Sequence, residues 1–276
     1  MMRQQLQKCS AIALLNLSCW FLPCVPFSPS SFAHAADLET IRQRGHFVVA
    51  VKDNLRPLGF RNEAGELVGL EIDIARRLAE EILGDPSALV LEPVANSDRL
   101  PLLTEGDVDL VVARLTLTES RSRLVNFSVP YYLDGTTFVT RNPAIQTPQN
   151  LRGRRVAVLE GSDTIAVVRS RLPGAQMVGV TSYTEALSAL EQGTADAFAA
   201  DASVLTGWVQ EYPEYRMLPG LWSGEALAIA MPRGLESQEL RAAVNTALRR
   251  WREDGWLDER IRYWGLPAQI IFADSP

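Results

Sequence analysis

Apolar and polar positions along this chain follow two periods, and the two alternate. Phe47–Val51 reads FVVAV, a continuous apolar run of strand length. Ile72, Ile74, Ala75, Leu78, Ala79 and Ile82 then recur at helical spacing, with Arg76/Glu80 and Arg77/Glu81 as outward pairs four residues apart. Gly84, Asp85 and Pro86 end that helix. Residues 89–94 predict a second strand, 98–105 a short helix and 108–113 a third strand. After a Pro/Asn-rich stretch at 142–150 the pattern restarts. It predicts strands at Arg155–Leu159, 177–180 and 195–200, and helices at 164–172, 183–192 and from about Ala202. A strand at 226–231, a long helix at 236–254 and a closing helix at 256–264 follow. Such alternation predicts an α/β fold of parallel sheets with helices on both faces. Two units of this kind predict two lobes, one at 37–139 plus 228–276 and the other at 140–227, with the chain crossing between them twice. Ligands of open α/β sheets sit at the carboxyl ends of strands, so facing lobes place a ligand in the cleft between them.

The first residues differ from the rest. Met1 to Lys8 carries Arg3 and Lys8 and no acid, 9–22 is mostly apolar, and 23–35 ends in Ala33-His34-Ala35. A basic start, a short apolar core and an A-x-A ending predict a secretory signal peptide over 1–35, cleaved after Ala35, and a periplasmic protein. Asn16 and Ser18 interrupt the apolar core, which is short for a membrane anchor. Pro23 directly before Cys24 argues against a lipid-modified cysteine there. Cleavage removes Cys9, Cys19 and Cys24, all three cysteines of the chain, and leaves His46 as the remaining histidine. No disulfide, thiolate nucleophile or thiolate metal site is then expected, and most Ser-His, Cys-His and zinc chemistry is excluded.

Composition sharpens this picture in one respect. The chain has 276 residues, 47% of them hydrophobic, and a formal net charge of −6. A globular core is expected, whereas a nucleic-acid partner would call for a basic surplus. Walker, G-x-G-x-x-G, G-x-S-x-G, HExxH and calcium-loop motifs are all missing, and neither cofactor nor metal is expected. The acid pairs Glu71/Asp73 and Asp107/Asp109 read as caps and solvated faces rather than metal ligands.

What remains is a set of charges just after strands. Lys52 follows the first, Arg114 the third, with Arg121 seven residues on. Asp201 closes the run from Asp196, and Gly161-Ser162-Asp163-Thr164 opens a helix as an anion-binding N-terminus would. A free α-amino acid carries one carboxylate, which wants a guanidinium, and one ammonium, which wants a carboxylate. Arg121 and Asp201 could supply these from opposite lobes.

Five segments together carry a resemblance: RPLGFRNEAGELVGLEIDIARRLAEE, LTLTESRSRLVNFSVPYY, VAVLEGSDT, GTADAFAAD and DGWLDERIRYWG. They resemble the periplasmic extracellular solute-binding proteins of amino-acid ABC transporters, the type-3 family, over nearly all of the chain after residue 35. The resemblance implies a type II two-lobe binding-protein fold. It implies that Arg121 of the T-x-x-R step binds the ligand α-carboxylate, helped by Thr116 and by the Gly161-Ser162-Asp163 loop. It assigns the α-ammonium to Asp201. VAVKDNLRPLGF and EPVANSDRLPLL resemble the aspartate/glutamate branch, which implies that Lys52 and Arg99 reach the distal carboxylate. A buried second carboxylate needs its own cation, so the chemistry agrees.

Three positions depart from the family pattern. Leu55 replaces an aromatic ring, Arg114 a small residue and Asp163 a hydroxyl residue. A cross-cleft pair of Arg114 with Asp163 would reconcile the last two. The implied function is ligand capture, without catalysis, by a monomer that delivers glutamate or aspartate to a membrane permease. The rivals are a neutral ligand such as glutamine or asparagine, a dehydratase on the same scaffold with Asp163 as general acid, and the sensor module of a receptor. Trp251, Trp256 and Trp264 read as core, Tyr131 and Tyr132 as braces at a crossover expected at 135–139.

Overall fold

A computed structural model of the protein describes residues 37–268; the leader assigned to 1–35, with its cleavage point at Ala35 and Cys24, falls outside the described residues. Two five-stranded sheets organise the described chain. The first has the order Leu89–Pro93, Phe47–Val51, Leu110–Val112, Ala230–Met231, Asn126–Phe127. The second has the order Gln176–Val180, Arg155–Leu159, Ala197–Asp201, Thr136–Thr140, Arg216–Met217. Phe47 pairs with Leu89 and Arg155 with Gln176, both in parallel register.

Each sheet holds one reversed strand. Thr136–Thr140 pairs antiparallel with Ala197–Asp201, and Ala230–Met231 with Leu110–Val112. These are the strands that arrive from a two-stranded antiparallel ribbon, Tyr132–Asp134 with Glu225–Leu227, in which Glu225 lies opposite Asp134. Strands joined by a helix return in parallel, and strands fed by a hairpin-like ribbon do not. The apolar run at 226–231, expected as one strand, is therefore two strands in different sheets. Backbone N–H groups at the break bond elsewhere, Ala228 to the Leu115 carbonyl at 3.1 Å and Ile229 to Ser128 Oγ at 3.0 Å.

Period-two alternation sorts the side chains of the first sheet. Val49, Val51, Leu110 and Val112 face the helices Leu70–Leu83 and Gln238–Glu253, while Ala50 and Val111 face Leu103 of Arg99–Glu105. In the second sheet Phe198 and Ala200 face Leu205 and Trp208, and Val156 and Val158 face Val168. Trp251 is wholly buried, and its indole N–H donates to Glu81 at 2.7 Å. Trp264 meets Phe60 edge-on at 5.8 Å and donates to Asp73 at 2.8 Å. Between the first strand and its helix lies a small sheet of Asn54–Leu55, Gly59–Arg61 and Leu67–Val68. It ends at Gly69, whose φ is +133° and where a Cβ would lie 2.2 Å from the Leu58 carbonyl oxygen, so glycine alone fits.

One acid of the helix Leu70–Leu83 departs from the solvated role that its charge suggests. Glu71 is fully buried beneath the ends of the strands. Its Oε1 accepts the Arg114 backbone N–H at 2.6 Å and the Tyr131 hydroxyl at 2.5 Å, while Oε2 has no protein partner. Burial raises the Glu71 carboxyl above the ordinary glutamate range, against the pull of those two donors and of the Arg114 and Arg99 charges. The folded state therefore holds this proton to higher pH than the unfolded chain does. Stability must fall as pH rises from the ordinary glutamate range through the raised value. Urea midpoints across that window should decline less steeply in Glu71→Gln, which cannot ionise; parallel curves for parent and variant would show that Glu71 ionises as freely folded as unfolded.

Candidate functional site

Three cations stand beyond the carboxyl ends of strands of the first sheet without a carboxylate partner among the described residues. Lys52, immediately after Phe47–Val51, is 7% exposed and donates from Nζ to the Val94 carbonyl at 2.7 Å. Arg99 opens the helix Arg99–Glu105 and is also buried. Its guanidinium is spread over three backbone carbonyls, Asn96 at 3.1 Å, Ala113 at 2.8 Å and Arg114 at 2.9 Å. Arg121 sits in the short helix Glu119–Ser122, capped by Thr118, and donates from Nη1 to the Thr116 carbonyl at 2.9 Å. Thr116 is itself tied to the ribbon through a bridge to Leu227.

Arg99 links the group, since its charge acts on Lys52 and that of Arg121 acts on it. Burial lowers the Arg99 pKa most, and the charges of Arg121 and Arg114 lower it further. Burial likewise lowers that of Lys52, with Arg99 next, while Asp53, Glu71 and Asp98 act in the opposite sense. Neither Lys52 nor Arg99 is a rim charge.

Arg114 is held differently. Its backbone has φ +46°, the one positive φ outside glycine in the described chain. The N–H is fixed by Glu71 and the carbonyl by Arg99. Its side chain reaches across to the other sheet, where Nη2 pairs closely with Asp201 and Nε lies 3.3 Å from Ser203 Oγ. Nε is also 3.4 Å from Asp134 Oδ2 in the ribbon. Asp134 is fully buried, and it accepts the Ser203 N–H at 3.0 Å, the Ser203 hydroxyl at 2.5 Å and the Gly135 N–H at 2.9 Å. The expected pair of Arg114 with Asp163 is not formed. Asp201 and Asp134 are nearer the strand ends and take the guanidinium, while Asp163 is exposed at the start of Thr164–Arg171.

Ser162 turns its hydroxyl to the Leu159 carbonyl at 2.7 Å, within its own turn. Burial raises the Glu225 carboxyl, the Arg114 charge lowers it, and those of Asp134 and Asp163 raise it. Glu225, Asp134 and Ser203, which the sequence reading did not single out, and Glu71, which it read as solvated, stand around Arg114, while Tyr131, expected as a brace, bonds to Glu71. For Glu71 a signal existed, since an acid shares the helix face of Ile74, Ala75 and Leu78. The others lie in a ribbon and a helix start with no telling spacing. Among the described residues no group of three or more His, Cys, Asp or Glu is arranged to hold a metal ion, and no helix is long and apolar enough to cross a membrane. A cavity of about 730 Å³ lies beside the ribbon, against Leu133, Thr137 and Trp222, and contains none of the residues assigned from sequence.

Known proteins match this arrangement over most of its length. The glutamine-binding protein of an ABC transporter from Bacillus subtilis is 31% identical over 94% of this chain and 97% of its own. A glutamate-binding protein from Corynebacterium efficiens is 27% identical over 84% of this chain and 86% of its own. The solved structure of an ancestral cationic amino-acid solute-binding protein (AncCDT-1), 27% identical, superposes with a TM-score of 0.72 over 82% of this chain and 98% of its own. In another determination that ancestor is described as a precursor of cyclohexadienyl dehydratase. Residues 47–267 match the profile of the bacterial extracellular solute-binding proteins, family 3, and the chain belongs to that family.

Proposed function

We propose that this protein is the solute-binding component of an amino-acid ABC importer, that it works outside the cytoplasmic membrane, and that its ligand is acidic, glutamate or aspartate. The observation that carries the reading is the cluster Lys52, Arg99 and Arg121, three cations whose hydrogen bonds all go to backbone carbonyls. Carbonyl dipoles hold a cation in place and leave its charge uncancelled, so the cleft is built to receive anions. Two carboxylates of one ligand would use it fully.

In this reading Arg121 and Thr116 take the α-carboxylate, with Ser162 and the turn before Thr164–Arg171 closing on it from the second sheet. Lys52 and Arg99 take the distal carboxylate. Asp201 takes the α-ammonium in company with Arg114. A ligand gripped from both sheets binds the closed arrangement better than an open one, and the ribbon is where closure bends the chain. A permease distinguishes the two forms. The lobes divide at the ribbon, so that Thr136–Thr140 belongs with the second.

A dehydratase would instead need a carboxyl that stays protonated in the cleft. Glu225, raised by burial, is the group to which that role would fall, rather than the exposed Asp163. Incubation with prephenate or arogenate, followed by product analysis, should give no turnover.

Glutamate or aspartate should raise the melting temperature most among the twenty amino acids, because a ligand bound only by the folded state stabilises it. A larger shift with glutamine would select the neutral-ligand reading. Arg121→Ala should weaken binding of the best ligand by roughly 10²–10³-fold, the cost of leaving a desolvated carboxylate unpaired. A loss under about threefold would remove Arg121 from the site. Lys52→Ala should cost glutamate about tenfold more than glutamine in calorimetric titrations, for want of a cation at the distal carboxylate; equal losses would reject the distal subsite.

A further inference from the structure

Asp201 already has a cation. Among the described residues its carboxylate makes one side-chain interaction, the close pair with Arg114 Nη2, and it does not cap the helix Ala202–Glu211 that it precedes. The guanidinium is not a loose surface group that happens to fall there. Its backbone is pinned on both sides, N–H to the buried Glu71 and carbonyl to Arg99, in a left-handed conformation that few residues adopt. From that fixed base the side chain makes further contacts with Ser203 and Asp134.

We propose that Arg114 is a built-in substitute for a ligand's ammonium group, and that the cleft consequently takes dicarboxylates without an amine as well as amino acids. This rests on the reading that a carboxylate ligand binds at Arg121. In a site where the ammonium-binding acid waits empty, an amine-free diacid leaves that acid unpaired beside its own carboxylates, and both desolvation and repulsion oppose it. Here the acid is neutralised from within the chain. The diacid meets Arg121, Arg99 and Lys52 without Asp201 standing as a bare negative charge beside them. An amino acid, by contrast, gains less from its ammonium, because that group must share Asp201 with the guanidinium or displace it.

Isothermal titration with matched pairs tests this: glutamate with glutarate, aspartate with succinate, glutamine with glutaramate. In the parent protein the two members of the best-binding pair should differ by about tenfold or less, an interval small against the loss of a desolvated ion pair. Arg114→Asn, a residue that tolerates positive φ, should widen that gap at least tenfold by weakening the amine-free member. Asp201→Asn supplies a second route that leaves the pinned backbone in place. It should weaken the amino acid and leave the diacid as tight or tighter, reversing the preference. Binding of the amino acid with no detectable binding of its amine-free partner to the parent would overturn the proposal and leave the amino-acid reading standing. An unchanged ratio in both variants would do the same. If the parent binds no member of any pair, the carboxylate cleft itself is wrong and this proposal goes with it.

Discussion

A carboxylate sealed from water at the floor of the cleft is what the rest of this structure is arranged around. Glu71 belongs to the helix Leu70–Leu83, the Arg114 N–H to the loop after Leu110–Val112, and the Tyr131 hydroxyl to the segment that enters the ribbon. One oxygen thus joins three separate stretches of chain at the point where the sheets meet. An unpaired buried charge would cost several kcal/mol; the two short hydrogen bonds and the neighbouring guanidiniums relieve part of that cost, and burial still holds the carboxyl above the ordinary glutamate range. The same bond to the Arg114 backbone holds that residue in its left-handed conformation, from which its side chain can span the cleft.

Above that floor the charges are organised by a simple asymmetry. Carbonyl oxygens anchor Lys52, Arg99 and Arg121, and carboxylates anchor Arg114. A dipole fixes the position of a cation without cancelling its field, whereas an ion pair cancels it. The first three remain available to an anion from outside, and the fourth is spent inside the protein.

Most of the fold was readable because its strands and helices bury one face each. FVVAV has the length and β-branched content of a buried strand, and the stripe from Ile72 to Ile82 has the period of a helix with a single apolar face, and both form as expected. Where the chain changes sheets the signal fails. Residues 226–231 are apolar throughout, so nothing local marks the break at Ala228 and Ile229 that long-range hydrogen bonds impose. The site shows the same division. Lys52 directly follows a strand and Asp201 ends one, whereas Arg99 opens a helix and Arg121 lies within one, and the roles expected of all four rested on the resemblance. The partner of Arg114 was not legible. Asp163 was the odd acid in the sequence, but Asp201 and Asp134 are the acids within reach, and reach is set by the ribbon rather than by spacing along the chain.

The interleaving of the two sheets has a consequence for the order in which the protein can be built. Every strand of the second sheet lies within one continuous stretch, from Thr136 to Met217. The first sheet, although it starts at Phe47, lacks a strand until Ala230–Met231 arrives, and the helix Leu70–Leu83, already packed on the early strands, gains its neighbour Gln238–Glu253 only after that. Its closing contacts span nearly the whole chain, and such distant pairings form slowly. The half that is synthesised first is thus the half completed last, and a chain emerging end-first keeps its first sheet open until its final strand and helices appear.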